Sequence, residues 1–434
     1  MTLIGAVVHL ENTGRAAQVV RLLGEGGQGG VYEVTTADRE RLAVKWYHPH
    51  ATTAFQRDNI MNLVERGAPN QRFLWPSETV SCADRPGFGY AMQLRPPQFV
   101  GLAALLNGAV DASLRTVCTI GYQLADSYLM LHSQGLCYRD ISFGNVFFDP
   151  STGDTLICDN DNVGVDGETA SNVIGTKRFM APEIVRREAK PSIDTDLYSL
   201  SVLLFYLLAV GHPLLGRREL DHAVWNEEAE MQLFGRQPVF IFDPKDESNR
   251  PAPGVHDAVV ANWSIFPRSL QTMFVRAFTR GIVDPRNGRI RESQWRAELV
   301  RCRDLLSSCT RCGAANFFDR DRADSTCWNC SSALSPPVCL VFDDATVVLN
   351  ESTEITAHHV GRMRYGFDDV VARVTRHPQR PEVWGLTNVG NRPWSATVPD
   401  GTTHTVEPGR SVGLVRGMWV QFPTARARLD AGEG

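Results

Sequence analysis

The sequence predicts a multidomain α+β protein: a large unit that is first β-rich and then helical, a small four-cysteine unit, and an all-β unit at the end. Three observations predict it. Up to about Pro97 short β-like runs surround glycine clusters, whereas beyond Leu102 apolar residues recur at helical spacing, as at Val117, Ile120, Leu124, Tyr128 and Leu131. Cys309, Cys312, Cys327 and Cys330 form C-x2-C-x14-C-x2-C. After Ser335-Pro336-Pro337, alternating runs broken by Gly and Pro continue with almost no helical period. A chain of 434 residues exceeds one ordinary core. We therefore divide it into 1–306, with an internal break near 95, then 307–334 and 335–434.

The elements follow in order. Residues 19–23, 31–35 and 42–46 are β-like, and 51–65 have helix composition. Helical pattern covers 102–134, short strands return at 146–148 and 156–158, and helices dominate 196–208 and 270–306. The polar, Pro-rich interval 216–253 is expected on the surface. Residues 197–210 are apolar but too short to span a bilayer, so a buried helix is expected there.

Composition narrows the class. Hydrophobic residues make up 43% and charged residues 21%, with a net charge of -5 from 44 basic and 49 acidic residues. That balance gives no reason to expect a nucleic-acid or membrane partner. The first ten residues contain an apolar stretch without a basic start, which reads as a strand rather than a signal peptide. Outside the two C-x-x-C pairs the cysteines are scattered, so a reducing, cytoplasmic location is expected.

Several segments carry chemistry. Gly24-Glu25-Gly26-Gly27-Gln28-Gly29-Gly30-Val31 fits G-x-G-x-x-G-x-V, a hairpin whose bare backbone can aim N–H groups at phosphates. Leu42-Ala43-Val44-Lys45 places one lysine on a strand among apolar residues. Tyr138-Arg139-Asp140-Ile141-Ser142-Phe143-Gly144-Asn145 is followed by Leu156-Ile157-Cys158-Asp159. Farther on come Gly175-Thr176-Lys177-Arg178-Phe179-Met180-Ala181-Pro182-Glu183 and Asp194-Thr195-Asp196.

In this order these segments resemble the protein kinase family across roughly residues 15–306. The resemblance implies a bilobal fold, with the N-lobe to about 95, the C-lobe from 96, and ATP between them. It implies that Asp140 handles the proton of a substrate hydroxyl, that Asn145 and Asp159 bind magnesium or manganese, and that Lys45 holds phosphates. Gly24, Gly26, Gly29, Val31, Ala43, Met92 and Leu94 would surround the nucleotide, with 92–95 as the hinge beside adenine. Thr176 would face the catalytic aspartate and is a regulatory candidate, as is a residue within 166–172. Asp196 would brace the catalytic loop, and Arg289 would pair with Glu183.

The pattern also departs from the family. Asp159-Asn160-Asp161 replaces Asp-Phe-Gly, removing an apolar packing residue and a flexible glycine. Ser142 stands where a lysine is usual, and Lys177 is a candidate substitute. The acidic partner of Lys45 is either Asp58, in the segment that better resembles the family's, or Glu65, seven residues on. Retention of Lys45, Asp140, Asn145 and Asp159 favours phosphoryl transfer, with an ATP-binding scaffold of the pseudokinase type as the alternative.

The paired cysteines suit a closed tetrahedral zinc site, because each turn presents two thiolates and Gly313 permits a tight knuckle. A redox C-x-x-C needs a helix start in a βαβ context, which is absent here. Residues 335–434 resemble a forkhead-associated (FHA) domain, a phosphothreonine-binding β-sandwich, through His359-Val360-Gly361-Arg362. The family's Ser-x-x-His is missing. The whole architecture is similar to bacterial kinases of the TerY-phosphorylation triad. That resemblance implies a protein Ser/Thr substrate, a von Willebrand A-type and a PP2C-type phosphatase partner, and a role in tellurite or metal stress.

Overall fold

Alternation of inward and outward side chains builds the first sheet. Along β2 (Ala16–Glu25), Ala17 and Val19 are buried while Gln18 and Val20 are exposed. β1 (Val7–Leu10), β3 (Gly29–Thr36), β4 (Arg41–Tyr47), β5 (Glu78–Cys82) and β6 (Arg85–Gln93) join it in a closed barrel of order β1-β2-β3-β4-β6-β5. Val8, Leu10, Val19, Val34, Val44 and Val80 fill its interior. Between β4 and β5 runs α1 (Ala54–Arg66). The Thr53 hydroxyl caps its start by accepting from the Gln56 N–H, and Gly67, with φ of +73°, ends it.

This computed structural model describes residues 3–168, 175–222, 224–319, 322, 325–351 and 353–431. Two compact units emerge. One holds Met1–Ala112, Thr119–Trp263 and Thr272–Ala297; the other holds Ser113–Cys118, Ser264–Gln271 and Glu298–Gly434. No helix among the described residues is long and apolar enough to cross a membrane.

After the barrel come β7 (Val100–Gly101), α2 (Leu102–Leu106), α3 (Leu114–Ser133) and β8 (Leu136–Cys137). β9 (Val146–Phe148), β10 (Thr155–Ile157) and β11 (Gly164–Val165) follow, in small antiparallel sheets of order β10-β9-β7 and β11-β8. These short strands flank the loops that carry Asp140, Asn145 and Asp159. The helices that follow are α4 (Pro182–Val185), α5 (Ile193–Ala209), α6 (Glu227–Glu230), α7 (Asp257–Ile265), α8 (Arg268–Phe278), α9 (Arg280–Val283) and α10 (Glu292–Asp304). α5 is buried along nearly its whole length, as its apolar composition predicts, and begins in a reciprocal capping box between Ser192 and Thr195.

The interval 216–253 corrects an expectation. It is polar overall, yet Phe240 and Ile241 are fully buried, and Phe240 packs on Phe205 and Phe278 at 5.7 and 5.2 Å between ring centroids. A few aromatics suffice to anchor a polar segment, because each one removes a large apolar area from water.

In the second unit, β12 (Leu306–Ser308) and β13 (Ala315–Phe317) form a hairpin. The rest is two antiparallel sheets built from β14 (Val338–Val341), β15 (Thr346–Val348), β16 (Glu354–Thr356), β17 (Val370–His377), β18 (Arg380–Asn388), β19 (Trp394–Thr397), β20 (Thr403–Val406), β21 (Ser411–Gly413), β22 (Trp419–Gln421) and β23 (Arg426–Ala431). Their orders are β15-β14-β23-β22-β19-β20 and β16-β17-β18-β21. Side chains from both sheets, among them Leu340, Val374, Leu386 and Val420, share one core, which makes this region a sandwich. The hairpin is tied to it: the Asn350 amide donates to the Leu306 carbonyl at 2.7 Å, and Leu305 packs with Cys339 and Val348.

Candidate active site

Lys45 lies in the middle of β4, opposite Val31 on β3 and Tyr90 on β6, and is 5% exposed. Burial opposes its charge, but Asp161 and Asp159 outweigh that and raise its pKa. Its Nζ donates to Asp159 Oδ1 at 2.5 Å, Asp161 Oδ1 at 2.9 Å and Gln28 Oε1 at 3.2 Å. The Asp159 carboxyl is pushed up to about 6 by burial and by repulsion from Asp161.

Neither Asp58 nor Glu65 is this lysine's partner, which corrects both sequence candidates. The two lie seven residues apart on one exposed face of α1. The inner face instead carries Gln56, Asn59, Ile60 and Leu63. The Gln56 and Asn59 amides donate to the Asp161 carbonyl at 3.1 and 3.0 Å, and Ile60 and Leu63 are buried. Spacing along the chain counted residues from Lys45 but could not fix the rotation of the helix.

The loop after β8 is held from three sides. Asp196 Oδ2 accepts from the Tyr138 N–H at 2.5 Å and Oδ1 from the Arg139 N–H at 3.0 Å, the bracing expected of Asp196. His132 lies against Asp196 and Glu292, and burial, which favours the neutral ring, is outweighed so that its pKa rises to about 9. The Tyr138 hydroxyl, in the place of the family's histidine, donates to the Cys158 carbonyl next to Asp159. Asp140 Oδ1 accepts from the Thr176 hydroxyl at 2.7 Å, and the Asn145 amide donates to the Asp140 carbonyl at 2.9 Å. Gly175 permits this approach: its φ is +99°, and a Cβ there would lie 2.9 Å from the Arg139 carbonyl. Of the other regulatory candidates, residues 169–172 lie outside the described residues. Arg289 meets Glu183 at 2.6 Å.

Lys45, Asp140, Asn145 and Asp159 line one cleft of about 1160 Å³, together with Gly24, Gly26, Gly29, Val31, Ala43, Met92 and Leu94. Gly29 is needed for the strands to approach, since a Cβ would sit 2.2 Å from the Trp46 carbonyl. Gly24, by contrast, has open space where a Cβ would sit, while its backbone pairs with Val31 on β3. Leu74, Tyr90 and Phe147 also line the cleft, and no sequence motif marked them.

The departures have structural counterparts. Asn160 is fully buried and its amide donates to the Leu74 and Ile157 carbonyls at 2.8 and 3.0 Å, so hydrogen bonds stand where apolar packing is usual. Ser142 is buried. Lys177 is not its substitute: its Nζ is held by Glu230 at 3.1 Å, with Glu227 at 3.9 Å.

The four cysteines come together in the second unit, with their sulfurs all within 4.8 Å of one another. Cys309 Sγ is 3.7 Å from Cys330 Sγ, and Cys312 Sγ is 3.6 Å from Cys327 Sγ. A tetrahedral ion with bonds of about 2.3 Å to sulfur places sulfurs roughly 3.8 Å apart, whereas a disulfide needs about 2.05 Å. The cluster can therefore hold a metal. Cys302 and Cys339 are buried core thiols outside it. In the sandwich, Arg362 meets Asp369 at 3.2 Å.

Comparison with known proteins agrees with this geometry. A family model described as "Protein kinase domain" matches residues 91–275. Glycogen synthase kinase 1 of Pyricularia oryzae is 32% identical over 106 residues, 24% of this chain and 27% of the relative. The probable serine/threonine-protein kinase zyg-1 of Caenorhabditis elegans is 24% identical over 197 residues, 44% of this chain and 27% of the relative. The meiosis-specific serine/threonine-protein kinase mek1 of Schizosaccharomyces pombe is 24% identical over 237 residues, 47% of this chain and 49% of the relative. The match thus spans about a quarter to a half of the length of these relatives. Residues 91–275 match a protein kinase domain, and serine/threonine kinases are among the proteins to which the chain is similar.

Proposed function

We propose that the chain is an ATP-dependent Ser/Thr protein kinase that transfers the γ-phosphoryl group to a protein hydroxyl. The observation that carries this reading is the convergence of Lys45, Asp140, Asn145 and Asp159 on one cleft. Phosphoryl transfer asks the protein mainly for positioning and charge stabilisation, and these side chains are the parts it needs. Asp140 orients the hydroxyl and takes its proton, Lys45 grips phosphate oxygens, and the 24–29 hairpin covers them. Met92 and Leu94 flank the base. The Asp159 carboxylate and the Asn145 amide oxygen are hard donors suited to magnesium or manganese, which when bound neutralises charge on the phosphates.

In this reading, residues 1–306 form the bilobal kinase domain, 307–334 a ribbon holding zinc on Cys309, Cys312, Cys327 and Cys330, and 335–434 an FHA-like sandwich. The proposed setting is bacterial cytoplasmic stress signalling, linked to tellurite or metals, with von Willebrand A-type and PP2C-type partners. Its support is the resemblance of the whole architecture.

A second reading, an ATP-binding scaffold, is favoured by one observation: Lys45 is engaged by two carboxylates and neither Ser142 nor Lys177 supplies the usual extra cation. Phosphoryl transfer from ATP to the chain itself and to a basic protein, with magnesium or manganese, separates the two. Asp140→Asn is expected to lower the rate by roughly 100-fold to 10,000-fold with nucleotide binding retained. Nucleotide binding without transfer by the wild-type chain would establish the scaffold.

A further inference from the structure

A lysine that grips phosphates needs an anion of the fold's own to keep its ammonium aimed into the cleft. Helix α1 does not provide one: Asp58 and Glu65 point to solvent, and its inner face presents the amides Gln56 and Asn59. Asp159 is a poor permanent anchor, since a third of its side chain is exposed and it belongs to the proposed metal-binding pair. Asp161 differs on each count. Its carboxylate is fully buried, with Oδ1 accepting from Lys45 at 2.9 Å and Oδ2 from the Tyr47 hydroxyl at 2.5 Å. Its carbonyl accepts from both Gln56 and Asn59, so α1 is fastened to the backbone of this residue rather than to the lysine.

We propose that Asp161 is the positioning residue for Lys45, replacing the helix-borne carboxylate, with Tyr47 fixing the orientation of its side chain. The inference rests on the kinase reading above and assigns a role to the third residue of Asp159-Asn160-Asp161. Because Asp161 and the metal-binding Asp159 share one short turn, lysine and metal ligand are set together. The location of α1 then bears on Lys45 through the Asp161 backbone and through the Gln56 contact with the Tyr47 hydroxyl.

Steady-state kinetics on the full chain tests it, alongside direct titration with N-methylanthraniloyl-ATP. Asp161→Asn should lower kcat on the order of 100-fold and weaken analogue binding, while the KM for the protein acceptor stays near wild type. The conservative Asp161→Glu, which keeps a carboxylate on the turn beneath Lys45, should rescue at least about tenfold of that loss. A merely structural role for Asp161 would not produce such a rescue. Wild-type kcat and affinity in Asp161→Asn, or the same loss appearing in Asp58→Asn instead, would overturn the proposal. Should Asp161→Asn fail to fold, Tyr47→Phe decides: it leaves the charges in place and should give a smaller loss, and no change would overturn the proposal. If the wild-type chain transfers no phosphate, the kinase reading falls by itself. Analogue binding still tests the anchor, since Asp161→Asn must weaken it as Lys45→Met does, and equal affinity would overturn the assignment.

Discussion

The cleft around Lys45 and the loops of the C-terminal sandwich both contain residues that the sequence marks for phosphate, and the fold treats them differently. The cleft residues border open space: a Cβ at Gly24 would meet nothing, and Asp159 keeps a third of its side chain exposed. In the sandwich Arg362 and Asn388 bond within their own domain. Arg362 is paired with Asp369, and Asn388 is fully buried with its amide on the Arg392 and Val406 carbonyls. The cleft residues differ in bordering one large open space, whereas Arg362 meets Asp369 at the surface of its own domain.

The largest expected effect concerns the four-cysteine cluster of the second unit. Purified chain should hold about one equivalent of zinc, and chelation or Cys327→Ser should cost that unit most of its stability, since structural zinc contributes on the order of 10 kcal/mol. Metal analysis with thermal unfolding reads both, and a metal-free chain that unfolds at the same temperature would remove the contrast drawn here.

A smaller effect sharpens the picture of the cleft, whose loop is held by Asp196 and, behind it, His132. With the folded pKa of His132 raised from 6.5 to about 9, its contribution is full below about pH 6.5 and is lost as pH rises through about 9. His132→Gln should therefore destabilise by about 3 kcal/mol at pH 6 and much less at pH 9.5. Denaturant titrations at the two pH values would show it, and a mutational cost independent of pH would place the charge elsewhere.

The smallest effect belongs to the sandwich. Arg362→Ala removes an exposed ion pair and should change stability by less than about 1 kcal/mol. Phosphothreonine-peptide binding that is present in the wild-type chain and abolished by this change would break the comparison, because Arg362 would then leave Asp369 for a ligand.

Much of this was legible in the sequence where the signal is local. The glycine pattern and β-like runs placed β2, β3 and β4, helical periodicity placed α3 and α5, and the C-x-x-C pairs identified the sulfur cluster. The buried Phe240 was hidden because average polarity says little about one aromatic side chain in a polar interval. β5 and β6 were missed as a pair, and with them Tyr90, because neither carries a recognisable motif, although β6 contains Gly87 and Gly89.

Sequence by itself determined which residue types were available and in what order: a strand lysine, a loop aspartate and asparagine, a carboxylate after a strand, four thiols. Covalent spacing fixes those, and chemistry restricts what they can do. Only the tertiary structure decided which carboxylate meets Lys45. That choice depends on the rotation of α1 about its axis and on the tight turn through Asn160–Asn162, which set Asp58 in solvent and Asp161 beneath the lysine. Side-chain pairing across more than 100 residues is a property of packing, and no local pattern encodes it.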